Sequence, residues 1–172
     1  MPVAVVLRLD ASTAGFIDAM AESLPDRRSG DRNRSYPPHL TLAIFSDSVD
    51  AADLDAALAA TTGRWKALPV TLAGIGVFPG DPSLVWLAPA PTDELLARHA
   101  TLRRALADLP YHPEYDVGAW VPHVTLARTH LLPDAVGVLA SAWSGSITGW
   151  LDSLDLIRLR PAEILSRRPL NG

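Results

Sequence analysis

Two short stretches of the chain carry residue types that can do chemistry at matched spacing. Pro38-His39-Leu40-Thr41-Leu42-Ala43 and Pro122-His123-Val124-Thr125-Leu126-Ala127 agree at five of six positions and lie roughly eighty residues apart. Side chains alternate across a β-strand, so His39, Thr41 and Ala43 are expected on one face and Leu40, Leu42 and Ile44 on the other. The second copy is expected to behave in the same way. Each strand would then show an imidazole beside a hydroxyl to a cleft and bury aliphatic residues behind. An imidazole, with an ordinary pKa of ~6.5, gives and takes protons at neutral pH, and two of them across a phosphorus supply a base for the attacking oxygen and an acid for the departing one. Threonine hydroxyls donate to phosphate oxygens where charge develops. A lone strand histidine is more often a buried structural residue, and it is the repeated threonine two places on that favours the chemical reading.

The elements that must position these motifs are legible from periodicity. Val3 to Leu9 reads as a strand, and Ala11 to Leu24 as a helix with Phe16, Met20 and Leu24 at helical spacing. Pro25 to Pro38 is a polar loop holding Arg27, Arg28, Arg32 and Arg34, expected as a solvated loop or a cationic lid. His39 to Phe45 is a strand, followed by a helix that starts at Ser48 or Asp50 and ends near Gly63. Leu68 to Phe78 and Ser83 to Leu87 form a hairpin about Pro79-Gly-Asp-Pro. Thr92 caps a helix through about Leu109, with Leu95, His99, Leu102, Leu106 and Leu109 in its apolar stripe and Arg98, Arg103 and Arg104 outside it. Tyr111 to Pro122 is a loop, Val121 to Arg128 a strand, Pro133 to Trp143 a short helix, and Trp150 to Arg160 a last strand. Strands alternate with helices but also pair in hairpins. The class expected is α+β with antiparallel or mixed sheets, in one domain over residues 1–172.

Composition removes several function classes. With no cysteine there is no disulfide framework, no thiolate zinc site and no cysteine nucleophile. Neither motif contains Asp or Glu, so two histidines alone make an incomplete metal shell, and no metal or cofactor is expected. There is no glycine-rich phosphate loop. The net charge of −4 argues against wrapping DNA or long RNA, while leaving room for a small phosphorylated ligand or one RNA end. Of 15 cationic residues only Lys66 is a lysine, and arginine forks suit phosphate. The apolar run at the amino terminus stops at Arg8, which reads as a strand; a cytoplasmic monomer without membrane contact is expected.

The pair His39-Leu-Thr41 and His123-Val-Thr125 resembles the hallmark of the two-histidine (2H) phosphoesterases. HVTLAR at His123 to Arg128, and GIGVFPGDPSLVWL between the motifs, resemble the RNA 2',3'-cyclic phosphodiesterase branch, historically called 2'-5' RNA ligases. YPPHLTLA, at Tyr36 to Ala43, resembles the small cyclic phosphodiesterases of the same superfamily. The resemblance runs from Val3 to about Arg160. It implies two pseudo-symmetric lobes, each a sheet with helices outside, around a central cleft. It also implies His39 and His123 as an acid/base pair, His123 the base and His39 the acid for hydrolysis, with Thr41 and Thr125 on phosphate. The substrate expected is a nucleotide or an RNA 3'-end with a 2',3'-cyclic phosphate, opened to a 2'-phosphate. The alternatives are joining or cleavage of 2'-5' linkages and a nucleotide-binding module without turnover.

Four further residues accompany the motifs. Tyr36 and Trp120 each stand three places before a histidine, where an aromatic plane stacks a nucleobase or packs a loop. Arg128 lies one residue past the second motif's face, with the core side, a salt bridge or phosphate as its destinations. Trp86 is strand packing or a cleft wall.

Overall fold

The computed structural model describes residues 1–25, 36–159 and 161–170. Arg27, Arg28, Arg32 and Arg34, and the expected strand end at Arg160, lie outside them. The chain runs β1 (Val3–Leu9), α1 (Ala11–Glu22), β2 (His39–Phe45), α2 (Ala51–Thr62), β3 (Leu68–Phe78), β4 (Ser83–Pro89), α3 (Asp93–Ala105), β5 (Val124–Thr129), α4 (Leu132–Ala142), β6 (Ile147–Arg158) and β7 (Glu163–Pro169), with a single 3-10 turn at Pro113–Tyr115 before β5. Local chemistry starts the helices where expected. The Asp10 carboxylate accepts the Thr13 amide of α1 at 3.0 Å, Asp50 accepts Ala52 and Asp53 of α2, and the Thr92 hydroxyl accepts Leu95 of α3.

All strand pairs are antiparallel, in the order β1-β2-β5-β4-β3-β6-β7, and β1 pairs with β6 as well. The two expected lobes are therefore halves of one sheet, joined through the long strand β6. Its first residues, Ile147 to Leu151, pair with β3, and its remainder pairs with β1 on one edge and β7 on the other. One half is β2-β1-β6-β7 and the other β5-β4-β3 with the start of β6. They meet again where Leu40 of β2 pairs with Val124 of β5. Helices cover the outer side: Ile17 of α1, Leu54 and Leu58 of α2, Leu95 and Leu102 of α3 and Leu139 of α4 pack with Val5, Leu7, Leu40, Leu42, Val124 and Leu126 in one continuous core. None of the described helices is long and apolar enough to cross a membrane.

Two expectations fail here for physical reasons. Trp150 to Arg160 is not the last strand, because Glu163–Pro169 adds β7 along the edge of β6. Its sequence, EILSRRP, has no alternation to announce it, and its ladder with β6 is joined by ion pairs of Arg167 with Asp155 and Arg168 with Asp55. Arg98 and Arg103 do not lie outside the α3 stripe but are buried in it. Arg98 stacks over Trp65 and donates to the Lys66 carbonyl at 2.7 Å, and the Arg103 guanidinium lies 3.1 Å from the centre of the Tyr111 ring.

Candidate active site

A bulge in each motif strand decides which side chains face the cleft. In β2, Val6 pairs with Thr41 and Val5 with Ala43, so Leu42 is an extra residue in the ladder. In β5, Trp86 pairs with Thr125 and Val85 with Ala127, so Leu126 is extra in the same place. Alternation holds up to the bulge and reverses after it. His39 and Thr41 share one face as expected. Ala43, expected beside them, instead joins Val5 in the buried core, and Ile44 takes the cleft face. In the second copy the same inversion removes Ala127 to the core and turns the exposed Arg128, opposite Leu84, onto the face of Thr125 and Trp86.

The antiparallel bridge between Leu40 and Val124 is the point where the two motifs meet. One residue to either side sets His39 across from Thr125 and Thr41 across from His123, an arrangement with twofold character about the bridge. A pocket of ≈ 140 Å³ lined by Tyr36, Pro37, Pro38, His39 and Thr125 spans both motifs. A second, of ≈ 360 Å³, lies on the other side of His123, walled by Phe78, Leu84, Tyr115, Trp120 and Val121.

Both imidazoles are held in one tautomer by the same device. His39 Nδ1 donates to the Pro37 carbonyl at 2.9 Å, and His123 Nδ1 donates to the Val121 carbonyl at 2.8 Å. A carbonyl cannot donate, so the proton of the neutral ring sits on Nδ1 and the lone pair on Nε2. Each carbonyl belongs to the residue two before its histidine, with a proline between, Pro38 or Pro122, that fixes the backbone of the approach.

The surroundings of the two rings differ. His39 meets the edge of Tyr36, ring centres 5.0 Å apart at 74°. Tyr36 is 6% exposed, and its hydroxyl donates to Asp155 Oδ2 at 2.6 Å. Asp155, fully buried, also accepts from Arg167 Nε and Nη2, the latter at 2.7 Å. Burial, with Asp155 beside it, pushes the Tyr36 phenol far above its ordinary range. This buried ring, tied at its hydroxyl, packs its edge against His39 and lines the small pocket beside it. His123 meets Phe78 edge-on at 5.1 Å and Trp86 at 5.8 Å, and those two rings stack on each other at 5.0 Å. Trp86 is thus a cleft wall. It lies over Gly76, its cross-strand partner on β3, where no side chain could be accommodated.

Trp120 links the site to α3. Its indole N–H donates to the Thr41 carbonyl at 3.0 Å, and one face of the ring stacks on His99 at 3.9 Å, leaving the pocket beside His123 against the remainder. Burial pushes the His99 pKa down to about 4, with backbone groups of Tyr115 and Leu42 opposing in part, so at neutral pH it is a neutral stacking partner. Residues that motif reading did not select also stand on the cleft face, Arg8 opposite His39 and Ser153 opposite Arg8. A charged residue inside the apolar run VAVVLRL was the available signal for Arg8. Among the described residues no three His, Asp or Glu side chains gather as a metal shell.

Comparison with known proteins agrees with this fold. Residues 9–162 match the model of the 2'-5' RNA ligase superfamily. A phosphoesterase crystal structure superimposes over 99% of both chains with a TM-score of 0.66 at 22% identity. Escherichia coli LigT, in its complex with 3'-AMP, does so over 100% of both chains with a TM-score of 0.64 at 23% identity. A Thermus thermophilus protein covers 100% of this chain and 99% of its own, with a TM-score of 0.62 at 19% identity. No curated protein matches at the level of sequence. With the family model spanning both His-x-Thr motifs and the fold shared end to end, the chain belongs to the 2'-5' RNA ligase superfamily of two-histidine phosphoesterases.

Proposed function

We propose that this phosphoesterase hydrolyses 2',3'-cyclic phosphates of nucleosides or RNA ends to 2'-phosphates, without a metal, by paired histidine catalysis. The observation that carries the reading is the matched tautomer of the two imidazoles across the Leu40–Val124 bridge. Each ring keeps its Nδ1 proton on a backbone carbonyl, which gives Nε2 to the reaction. His123 Nε2 takes a proton from water as the water oxygen bonds to phosphorus. The bond from phosphorus to O3' breaks, and His39, entering the step protonated, returns a proton to that oxygen from Nε2. Thr41 and Thr125 donate to the non-bridging oxygens, and Arg128, on the same face by virtue of the bulge, opposes the charge that builds on them. Each proton transfer of this kind contributes roughly 10²–10⁴ in rate.

The pocket beside His123, walled by Phe78, Leu84 and Trp120, suits the apolar face of a base or ribose. LigT, which shares the fold, was crystallised with 3'-AMP and with phosphate, in keeping with a nucleotide as ligand. The test is turnover of a panel of 2',3'-cyclic nucleotides and of a short RNA ending in cyclic phosphate, alongside 2'-5'-linked dinucleotides. Preferential opening of the cyclic phosphates supports the reading. Preference for the 2'-5' linkages, or tight nucleotide binding without turnover, overturns it.

A further inference from the structure

The two sides of the cleft are chemically unlike, although the strands that build them repeat. Beside His123 the sheet face is aromatic, with Trp86 opposite Thr125 and Phe78 next to it. Beside His39 it is polar. Val6 stands opposite Thr41 and Arg8 opposite His39, whereas the residue of β4 in the place of Arg8, two beyond Trp86, is Ala88.

Arg8 continues into a polar row. Its other cross-strand neighbour is Ser153 of β6, and cross-strand pairs lie on one face of a sheet, so His39, Arg8 and Ser153 line up across three strands. At about 4.8 Å per strand, Arg8 stands one strand spacing and Ser153 two from the histidine, roughly 5 and 10 Å. Both are unsatisfied. Arg8 Nε is fully buried with no hydrogen-bond partner among the described residues, and so is the Ser153 hydroxyl, in a side chain only 6% exposed. Buried polar groups in folded proteins almost always have partners, so two orphaned donors in one row call for a ligand that accepts from both.

The charge of that ligand follows from the neighbours. Among the described residues the one buried carboxylate on this face is Asp155, which is spent on Arg167 and the Tyr36 hydroxyl. Among the described residues no carboxylate pairs with Arg8, which stands opposite His39 and the reacting phosphate. An arginine fork with a hydroxyl alongside is a phosphate-binding pair.

We propose that Arg8 and Ser153 form a second anion subsite, which holds a phosphate of the substrate other than the one being cut. This deepens the cyclic-phosphodiesterase reading and rests on it for the identity of the reacting group. The substrate class it selects is a nucleotide carrying a further phosphate on the His39 side, such as a 5'-phosphorylated nucleoside cyclic phosphate or the last phosphodiester of an RNA end. The aromatic wall at His123 takes the base, and the cationic row fixes the direction in which the chain lies.

Binding decides this independently of turnover. Calorimetric titration of the wild-type protein compares adenosine 2',5'-bisphosphate with adenosine 2'-monophosphate at one fixed salt concentration. The bisphosphate is expected to bind at least ten-fold tighter, Arg8→Gln to erase that difference, and Ser153→Ala to reduce it. Arg8→Lys, which keeps the charge but not the fork, is expected to retain part of it, and it serves should the glutamine variant not fold. Equal wild-type affinity for the two ligands, binding of neither, or a full preference surviving in folded Arg8→Gln would overturn the subsite. Turnover of cyclic nucleotides without any bisphosphate preference would remove the subsite and leave the reaction standing. A bisphosphate preference in a protein that opens no cyclic phosphate would do the reverse.

Discussion

Replacing Gly76 by alanine should damage the site without replacing any residue that meets substrate. A Cβ at position 76 would lie 2.2 Å from Trp86 Cζ2 and 2.4 Å from Cε2 and Cη2. Carbon atoms settle at about 3.5 Å or more, so the indole has to retreat by about 1.3 Å. It has little room, since Phe78 stacks on it at 5.0 Å and His123 lies 5.8 Å away. Overpacking of this kind costs about 1–3 kcal/mol. At about 2–4 °C per kcal/mol for a domain of this size, Tm should fall by about 2–12 °C. A displacement of this order beside a reacting group lowers kcat/KM by about 10–100-fold. Thermal melts and steady-state kinetics on a 2',3'-cyclic nucleotide measure both. Trimming the wall with Trp86→Leu should make Gly76→Ala nearly silent, so the double-mutant cycle shows strong coupling. Wild-type Tm and kcat/KM in Gly76→Ala, or an equal loss in the Trp86→Leu background, would refute the argument.

Two further outcomes follow from the network around the histidines. Tyr36→Phe keeps the ring edge on His39 but removes the hydroxyl that donates to buried Asp155, a hydrogen bond to a charged group. A loss of about 1.5–3 kcal/mol, read by denaturant unfolding, is expected. His99 has a folded pKa of about 4, below its ordinary value of 6.5, so the folded state binds fewer protons than the unfolded state. Its contribution is fully present above pH 6.5 and is lost as pH falls towards 4, by on the order of 3 kcal/mol. His99→Phe, which keeps an aromatic partner for Trp120, should flatten the stability profile between pH 6.5 and 4, and an unchanged slope there would show that His99 is not the group responsible.

What the sequence disclosed and what it hid have separate physical causes. His39, Thr41, His123 and Thr125 were legible because their types repeat and because alternation holds as far as the bulge. Beyond it the reading failed for Ala43 and was undecided for Arg128. A bulge is a property of how two strands pair, and neither LTLA nor LARTH carries a glycine or proline to mark it. For Tyr36 stacking and packing stood as alternatives, because nothing near it names Asp155, 119 residues away, as the partner of its hydroxyl. Arg98 and Arg103 were placed outside the apolar stripe of α3, whereas the rings of Trp65 and Tyr111 offer them buried faces. The helix caps, by contrast, are local interactions over three residues: Thr92 acts where the sequence placed it, and of Ser48 and Asp50 it is Asp50 that caps α2.

The central claim is that two imidazoles, each with Nδ1 on a carbonyl, exchange protons with a cyclic phosphate through Nε2. The most direct measurement is phosphorus NMR of the products formed from 2',3'-cyclic nucleotides by the wild-type protein, His39→Ala and His123→Ala, with EDTA present throughout. The account predicts a 2'-phosphate from the wild type and a loss of about 10²-fold or more in either variant. A 3'-phosphate product, a variant that keeps its rate, or activity abolished by the chelator would contradict it.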